Sequence, residues 1–212
     1  MNILESISTA LRKGDDEEVA ALTQQAVDEG TAPQEILDDG LIHGMNVIGE
    51  QFSRHEIFLP DVLLAAKAMY AGMDILKPQL IKDKIPSRGR IVIGTVRGDL
   101  HDIGKNLVGI MLKGAGFEVI DLGKDVPAEV FIDRAVSEGA SIIGMSALLT
   151  TTAPVMQDVT SLLKEKNLDE EIKTIIGGAP VTEKFAQEIG ADAYAFDAAK
   201  AVECVKNMVQ KG

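Results

Sequence analysis

The sequence is poor in residues that crosslink a chain or anchor it in a membrane. It contains one cysteine, Cys204, and no tryptophan among 212 residues. A single thiol excludes an internal disulfide and a zinc site built from thiolates. No run approaches roughly eighteen uncharged apolar residues, and no apolar segment follows a basic one at the start of the chain. We therefore expect a cytoplasmic protein with neither a membrane span nor a secretion signal.

Positive charge is also scarce. The chain has 21 lysine and arginine residues against 33 aspartate and glutamate residues, a formal net charge of -12. Phosphate backbones are repelled by such a protein unless it carries a local basic patch, and no lysine or arginine run supplies one. Nucleic-acid binding is therefore not expected. The 46% apolar content is that of a globular protein, and the length suits two small domains.

The first part of the chain has the apolar spacing of helices. Ile3, Ile7 and Leu11 recur at intervals of three and four, and similar spacings continue to about residue 82 between short breaks rich in glycine and proline. This pattern predicts four amphipathic helices that form a small bundle over residues 1–82. The polar segment 83–89 predicts an interdomain linker.

The remaining residues, 90–212, alternate between strand and helix patterns. Runs rich in isoleucine and valine predict five strands, at 91–96, 117–122, 141–146, 173–178 and 193–196, each followed by a helical segment. Nearly continuous apolar strands are typical of a parallel sheet covered on both faces. The predicted fold class is α + α/β: an N-terminal four-helix bundle followed by a Rossmann-like (flavodoxin-like), doubly wound, five-stranded parallel sheet.

The loop after the first predicted strand contains the residues that indicate a possible metal-binding function. It reads GDLHDIGK over 98–105 and lacks both the dinucleotide motif GxGxxG and the phosphate motif GxxxxGK[ST]. Asp99 lies two residues before His101, so its carboxylate can bind one imidazole nitrogen and leave the other free for a metal. No second ligand has suitable spacing, and a lone histidine ligand suits a metal already held in a macrocycle. Spacing alone leaves open a simple polar contact.

Three loop motifs together resemble a known family. GDLHDIGKNLVG at 98–109, MSALLTTT at 145–152 and IIGGAP at 175–180 resemble the cobalamin-binding module of methionine synthase and of the corrinoid proteins of methyltransferase systems. The segment 44–63, GMNVIGEQFSRHEIFLPDVL, is similar to the helical cap domain that precedes that module. The resemblance covers about residues 1–210, so it implies that the helical bundle is this cap.

The resemblance also implies roles for individual residues. His101 would bind the cobalt of cobalamin or a related corrinoid in place of the cofactor's own lower base, the base-off/His-on state. Asp99 would be its hydrogen-bond partner, and Thr152 takes the place of the serine that completes the family's relay, so Asp99 and Thr152 are the catalytic candidates. The implied cofactor contacts are Gly98, Asp99, Leu100, His101, Asp102, Ile103, Gly104, Ser146, Leu148, Thr150, Gly177, Gly178 and Ala198 near the lower face and nucleotide tail, and Phe52, Leu59 and Val62 above the corrin.

From the residues alone, several of these positions have a simpler interpretation. The glycines at 104, 177 and 178 could be turns at strand ends. The three apolar residues of the helical half, Phe52, Leu59 and Val62, could be bundle core. The sequence patterns do not decide between these alternatives.

The function implied by the resemblance is that of a corrinoid methyl carrier. Such a protein shuttles a methyl group on cobalt between a substrate-specific methyltransferase and a second methyltransferase that passes it to tetrahydrofolate or a thiol, and a reductive activase is a further partner. It is not catalytic alone, because 212 residues leave no room for domains that activate substrates. A cobalamin-dependent sensor or regulator, and the corrinoid subunit of a carbon-skeleton mutase, remain alternatives. The methyl donor and acceptor, the oligomeric state, the resting cap position and the lower base of the corrinoid are left open.

Overall fold

The computed structural model describes residues 2–83 and 87–210. The chain divides into two compact units, Met1–Ser87 with Gly114–Gly116 and Arg88–Lys113 with Phe117–Gly212. The domain boundaries at 82 and 90 and the linker at 83–89 stay predictions, and residues 84–86 of that linker lie outside the described part of the chain. None of the described helices is both long enough and apolar enough to cross a membrane.

The first unit is helical throughout, as predicted. Side chains cap the starts of its first two helices: Asn2 Oδ1 accepts from Leu4 N at 3.3 Å, and Asp15 Oδ1 accepts from Glu18 N at 3.0 Å. The elements are α1 (Ile3–Arg12), α2 (Asp16–Asp28), α3 (Pro33–Glu35), a π-helical segment (Ile36–Ile42), α4 (His43–Ser53) and α5 (Leu59–Lys82).

The third predicted helix is present but is not a regular α-helix. It runs from α3 through the π-helical segment into α4, and two of its glycines lie close to α1. A Cβ placed on Gly40 would be 3.3 Å from Ile7 Cγ2, and one placed on Gly44 would be 3.2 Å from the carbonyl oxygen of Ser8. Glycine therefore permits this close packing. Apolar spacing indicates only that the segment is helical, so the wider winding was not predicted.

The second unit has the predicted alternation of strands and helices. All strand pairs are parallel, and the sheet order is β2-β1-β3-β4-β5, the flavodoxin-like arrangement. The elements are β1 (Arg90–Thr95), α6 (Ile103–Gly114), β2 (Glu118–Asp121), α7 (Ala128–Glu138), β3 (Ile142–Ser146), α8 (Val155–Glu165), β4 (Lys173–Gly177), α9 (Glu183–Ile189), β5 (Ala193–Ala195) and α10 (Ala198–Gln210).

Helices cover both faces of this sheet. On one face, Val92 and the neighbouring strands pack with Phe131 of α7 and Met156 of α8 in a single buried cluster. On the other, α6 approaches β1 so closely that a Cβ on Gly109 would be 2.8 Å from Ile93 Cδ1. Burial on both sides explains why the strands have continuous apolar sequences.

The strand order determines where a ligand can enter. The chain moves in opposite directions from β1, to β2 on one side and to β3 on the other, so a crevice opens at the carboxyl ends of β1 and β3. The loop 96–102 follows β1 and the loop 147–154 follows β3. Two of the three sequence motifs, at 98–109 and 145–152, therefore begin at this switch point.

Candidate functional site

A buried carboxylate joins the two loops at the switch point. Asp99 is completely buried and accepts five hydrogen bonds. Its Oδ1 accepts from His101 N at 3.0 Å and lies 2.7 Å from His101 Nδ1. Its Oδ2 accepts from Leu148 N at 2.7 Å, Leu149 N at 3.2 Å and Thr152 Oγ1 at 2.7 Å. Asp99 thus connects the loop after β1 to the loop after β3.

These hydrogen bonds keep Asp99 ionised. Burial alone would raise the pKa of its carboxyl group, but the backbone N–H groups of His101 and Leu148, the Thr152 hydroxyl and the His101 ring outweigh burial and hold that pKa well below its usual range. An ionised carboxylate has no proton to donate, so the proton between Asp99 and His101 belongs to the imidazole.

That proton assignment fixes the tautomer of His101. Nδ1 donates to Asp99, so Nε2 of the neutral ring carries a lone pair. The side chain of His101 is 52% exposed, and in the described part of the chain no residue forms a hydrogen bond with Nε2. A histidine that donates one ring N–H to a carboxylate and keeps a lone pair on its other ring nitrogen has the arrangement of a metal ligand. His101 Nε2 would therefore suit a metal that takes a single nitrogen ligand from the protein.

The backbone of the His101 loop is also held in place. Thr95, which is completely buried at the end of β1, donates its hydroxyl to the carbonyl oxygen of His101 at 3.0 Å. Gly98 has a φ of +82° and donates its N–H to Asp125 Oδ1 at 2.7 Å. Asp125 N in turn donates to Asp99 O at 3.1 Å. Sequence reasoning missed Thr95 and Asp125, because neither lies within the three recognised motifs.

Apolar side chains on these loops are exposed. Three predicted cofactor contacts are exposed: Leu100 and Leu148 on the loops, and Ile103, 74% exposed, at the start of α6. Leu149 and Phe196 were not predicted but are also exposed on loops that follow β3 and β5. Apolar side chains grouped at one edge of a sheet indicate a surface that another molecule covers.

The predicted glycines fall into two classes. A Cβ on Gly178 would lie 1.8 Å from the carbonyl oxygen of Ala147, and one on Gly177 would lie 2.8 Å from that of Ala195. Both positions require glycine for the packing of the protein itself. A Cβ on Gly104 would meet no atom of the described residues within 4 Å. Of Gly104, Gly177 and Gly178, only Gly104 therefore has open space where a side chain would lie.

The other predicted contacts are placed as follows. Ser146 is half-buried at the end of β3, and its carbonyl oxygen accepts from Val96 N at 3.0 Å. Asp102 is half-buried, Thr150 is exposed and Ala198 is buried at the start of α10. Phe52, Leu59 and Val62 belong to the first unit, where Phe52 and Leu59 are half-buried and Val62 is completely buried. Contact of these residues with a corrin stays a prediction.

Comparison with known proteins identifies the family. A family model described as a B12 binding domain matches residues 89–205, and a second model of the same description matches residues 3–77. The chain belongs to the B12-binding corrinoid proteins. Its cofactor is cobalamin or a related corrinoid.

Relatives of this corrinoid protein match along nearly its whole length. A corrinoid protein of Desulfitobacterium hafniense strain Y51 is 44% identical over 100% of this chain and 99% of its own. The dimethylamine corrinoid protein 1 of Methanosarcina acetivorans is 49% identical over 84% of each chain.

Solved structures agree with the sequence relatives. The methanol:cobalamin methyltransferase complex MtaBC from Methanosarcina barkeri contains a chain that matches with a TM-score of 0.88 at 30% identity, over 99% of this chain and 80% of that one. A cobalamin-binding protein from Desulfitobacterium hafniense DCB-2 matches with a TM-score of 0.81 at 34% identity, over 96% of this chain and 97% of that one. The helical unit followed by a five-stranded parallel sheet is therefore the architecture of this family.

Proposed function

We propose that this corrinoid protein is a methyl carrier that holds its cofactor base-off/His-on, with His101 Nε2 as the lower axial ligand of cobalt. The observation that supports this proposal is the 2.7 Å contact of His101 Nδ1 with the ionised carboxylate of Asp99, because this contact leaves the lone pair of the neutral ring on Nε2. The chemistry that the corrinoid supplies when bound is acceptance of a methyl group from one partner and its donation to another.

Asp99 and Thr152 hold the ring of His101 in place. In the neutral ring the imidazole proton lies on Nδ1, 2.7 Å from Asp99 Oδ1, so Nε2 would be free to hold the metal. Thr152 donates to the other carboxylate oxygen at 2.7 Å and so fixes the position of Asp99. Asp99 and Thr152 would thus orient His101 as a ligand.

The proposed partners are two methyltransferases and a reductive activase. The first methyltransferase would be specific for a small methyl donor; the names of the similar proteins mention dimethylamine and methanol. The second would pass the methyl group to tetrahydrofolate or a thiol, and the activase would return oxidised cobalt to its reduced state. The choice of donor would belong to the partner enzyme, because the residues proposed for the loops of this chain would contact the cofactor and not the donor.

Electron paramagnetic resonance of the Co(II) form tests the ligand. Nitrogen-15-labelled protein is loaded with unlabelled cobalamin, so that an axial nitrogen from the protein splits the cobalt signal into doublets, whereas the cofactor's own base gives triplets. We expect doublets for the wild type and their loss in His101→Ala. Triplets in the wild type would overturn the His-on proposal.

Methyl transfer is tested separately. The loaded protein is reduced and mixed with methyl iodide, and the visible spectrum is followed. We expect stoichiometric alkylation of the cofactor, with a spectrum that differs between the wild type and His101→Ala. A loaded, reduced protein that fails to take up the methyl group would contradict the carrier function.

A further inference from the structure

The last residue of β2 and the loop that follows it, together residues 121–126, lie against the end of β1. Leu122 N donates to Ile93 O at 2.8 Å, Thr95 N donates to Gly123 O at 2.9 Å, and Val126 N donates to Thr95 O at 3.0 Å. We call these residues the post-β2 loop. It continues the pairing of the two strands beyond the end of β2 and reaches the His101 loop.

Near its C-terminal end, the post-β2 loop forms hydrogen bonds with residues that precede His101. Asp125 donates its backbone N–H to Asp99 O at 3.1 Å and accepts from Gly98 N at 2.7 Å. Asp125 adopts a left-handed conformation with a φ of +58°. Such a conformation is unfavourable for a residue with a side chain, although aspartate and asparagine tolerate it best. In this conformation, Asp125 binds both Gly98 and Asp99.

At its N-terminal end, the post-β2 loop contacts α6, the helix that follows His101. Lys105, in the first turn of α6, is only 4% exposed. Its Nζ donates to Asn106 Oδ1 at 2.7 Å and to Asp121 Oδ1 at 2.6 Å, and it also contacts Asp121 Oδ2. A lysine is rarely buried without a partner, and here the partner is the first residue of the post-β2 loop.

We infer that Asp125 and Lys105 are positioning residues for the cobalt ligand, acting through the post-β2 loop on both flanks of the His101 loop. This inference rests on the proposed His-on binding of the cofactor. The position of His101 along the sheet edge is set by Gly98 and Asp99 on one side and by α6 on the other. An axial bond to a metal held in a rigid macrocycle requires that position to be accurate, because small displacements weaken a bond of fixed length and direction.

Asp125 offers a matched set of variants. Asp125→Asn keeps an oxygen acceptor and tolerates the left-handed conformation, whereas Asp125→Gly keeps the conformation and removes the acceptor. Asn167, which has a φ of +56° after α8, provides the control Asn167→Gly at a left-handed position away from the loop. Lys105→Met keeps the length of the side chain and removes its charge.

The measured quantities are the dissociation constant of cobalamin and the fraction of the Co(II) form that shows the protein-nitrogen doublet. We expect Asp125→Gly and Lys105→Met each to weaken binding roughly two- to tenfold, the range of one lost hydrogen bond, with a lower doublet fraction. Asp125→Asn and Asn167→Gly should match the wild type. Equal doublet fractions in Asp125→Gly, Lys105→Met and Asn167→Gly would overturn the inference.

A readout on the cofactor-free protein separates positioning from general destabilisation. Hydrogen exchange of the Gly98 amide should accelerate in Asp125→Gly and not in Asn167→Gly, because only the first variant removes its acceptor. Unchanged exchange of this amide would contradict the inference. If the wild type itself shows no doublet, the proposed function fails; if the wild type shows it and the variants do not differ, only the positioning role fails.

Discussion

At the scale of single residues, Asp99 shows both what a sequence motif reveals and what it omits. The spacing of Asp99 and His101 predicts that one holds the other, and the 2.7 Å contact between them agrees with this. The motif does not indicate that Leu148 N and Leu149 N point at the same carboxylate. Those donors come from a loop about fifty positions later, and only the pairing of β1 with β3 brings them there.

The donors around Asp99 predict the effect of replacing it with asparagine. The amide of Asp99→Asn would place an NH₂ group against N–H or O–H donors and leave at least one of them unpaired. We expect the free energy of unfolding at pH 7, measured by urea denaturation, to fall by about 3 kcal/mol, the upper range for hydrogen bonds to a charged group. Thr152→Val removes one donor and should cost about half as much, whereas Thr152→Ser, which keeps a hydroxyl, should cost less. A loss below that of Thr152→Val would contradict the prediction.

The low pKa of Asp99 gives this loss a defined pH dependence. A carboxyl group whose pKa is lower in the folded than in the unfolded state stabilises the fold fully above its unfolded pKa of about 3.9, and the stabilisation declines as the pH falls from there toward the folded pKa. The difference in unfolding free energy between the wild type and Asp99→Asn should therefore be constant from pH 7 to about pH 5 and shrink below about pH 4. A difference that already shrinks near pH 6 would show that Asp99 does not have this low pKa.

At the scale of secondary-structure elements, the sequence was most informative where burial determines composition. The central strands β1, β3 and β4 are largely buried, so their isoleucine and valine runs stand out. Each of the five predicted strands agrees with the structure to within about one residue at either end. Short loops carry no such periodicity. The contacts of Asp125 with Gly98 and Asp99 depend on how far the chain continues past the β1–β2 pairing of Ile93 with Asp121. The spacing of residues within a single segment cannot predict these contacts between two loops.

The two classes of glycine predict opposite outcomes for the same substitution. Gly104→Ala adds a methyl group into open space in the first turn of α6, so the unfolding free energy of the cofactor-free protein should stay constant or rise by up to about 1 kcal/mol. If Gly104 contacts the nucleotide tail as predicted, cobalamin affinity should nevertheless fall, because the added methyl group would occupy the space of that contact.

Gly178→Ala serves as the contrasting variant. Its new methyl group would collide with the carbonyl oxygen of Ala147 at a φ of +128°, so we expect a loss of at least about 3 kcal/mol without cofactor. Urea denaturation and cobalamin titration measure both effects. Unchanged cobalamin affinity in Gly104→Ala would remove Gly104 from the predicted contacts.

At the scale of the whole molecule, the chain has two compact units, and the thermal stability of each unit can show which one binds the cofactor. Ligand that binds only the folded state stabilises it by about 2.7 kcal/mol at a free concentration one hundred times its dissociation constant. For a unit of this size that corresponds to a rise in Tm of roughly ten degrees or somewhat more. The His101 and Asp99 contacts all lie in the second unit, so we expect the thermal transition of that unit to rise when cobalamin is added.

Hydrogen exchange identifies which residues gain protection. Amides of β1 and β3 should slow on binding, because these strands support the His101 loop and the loop that binds Asp99. His101→Ala should reduce the gain, since it removes the axial bond and leaves the remaining contacts. If protection also increases in α4 and α5, which carry Phe52 and Val62, the predicted contacts of those residues with the corrin are supported. If cobalamin raises neither the transition nor the protection of β1 and β3, the switch point of the sheet is not where this corrinoid protein binds its cofactor.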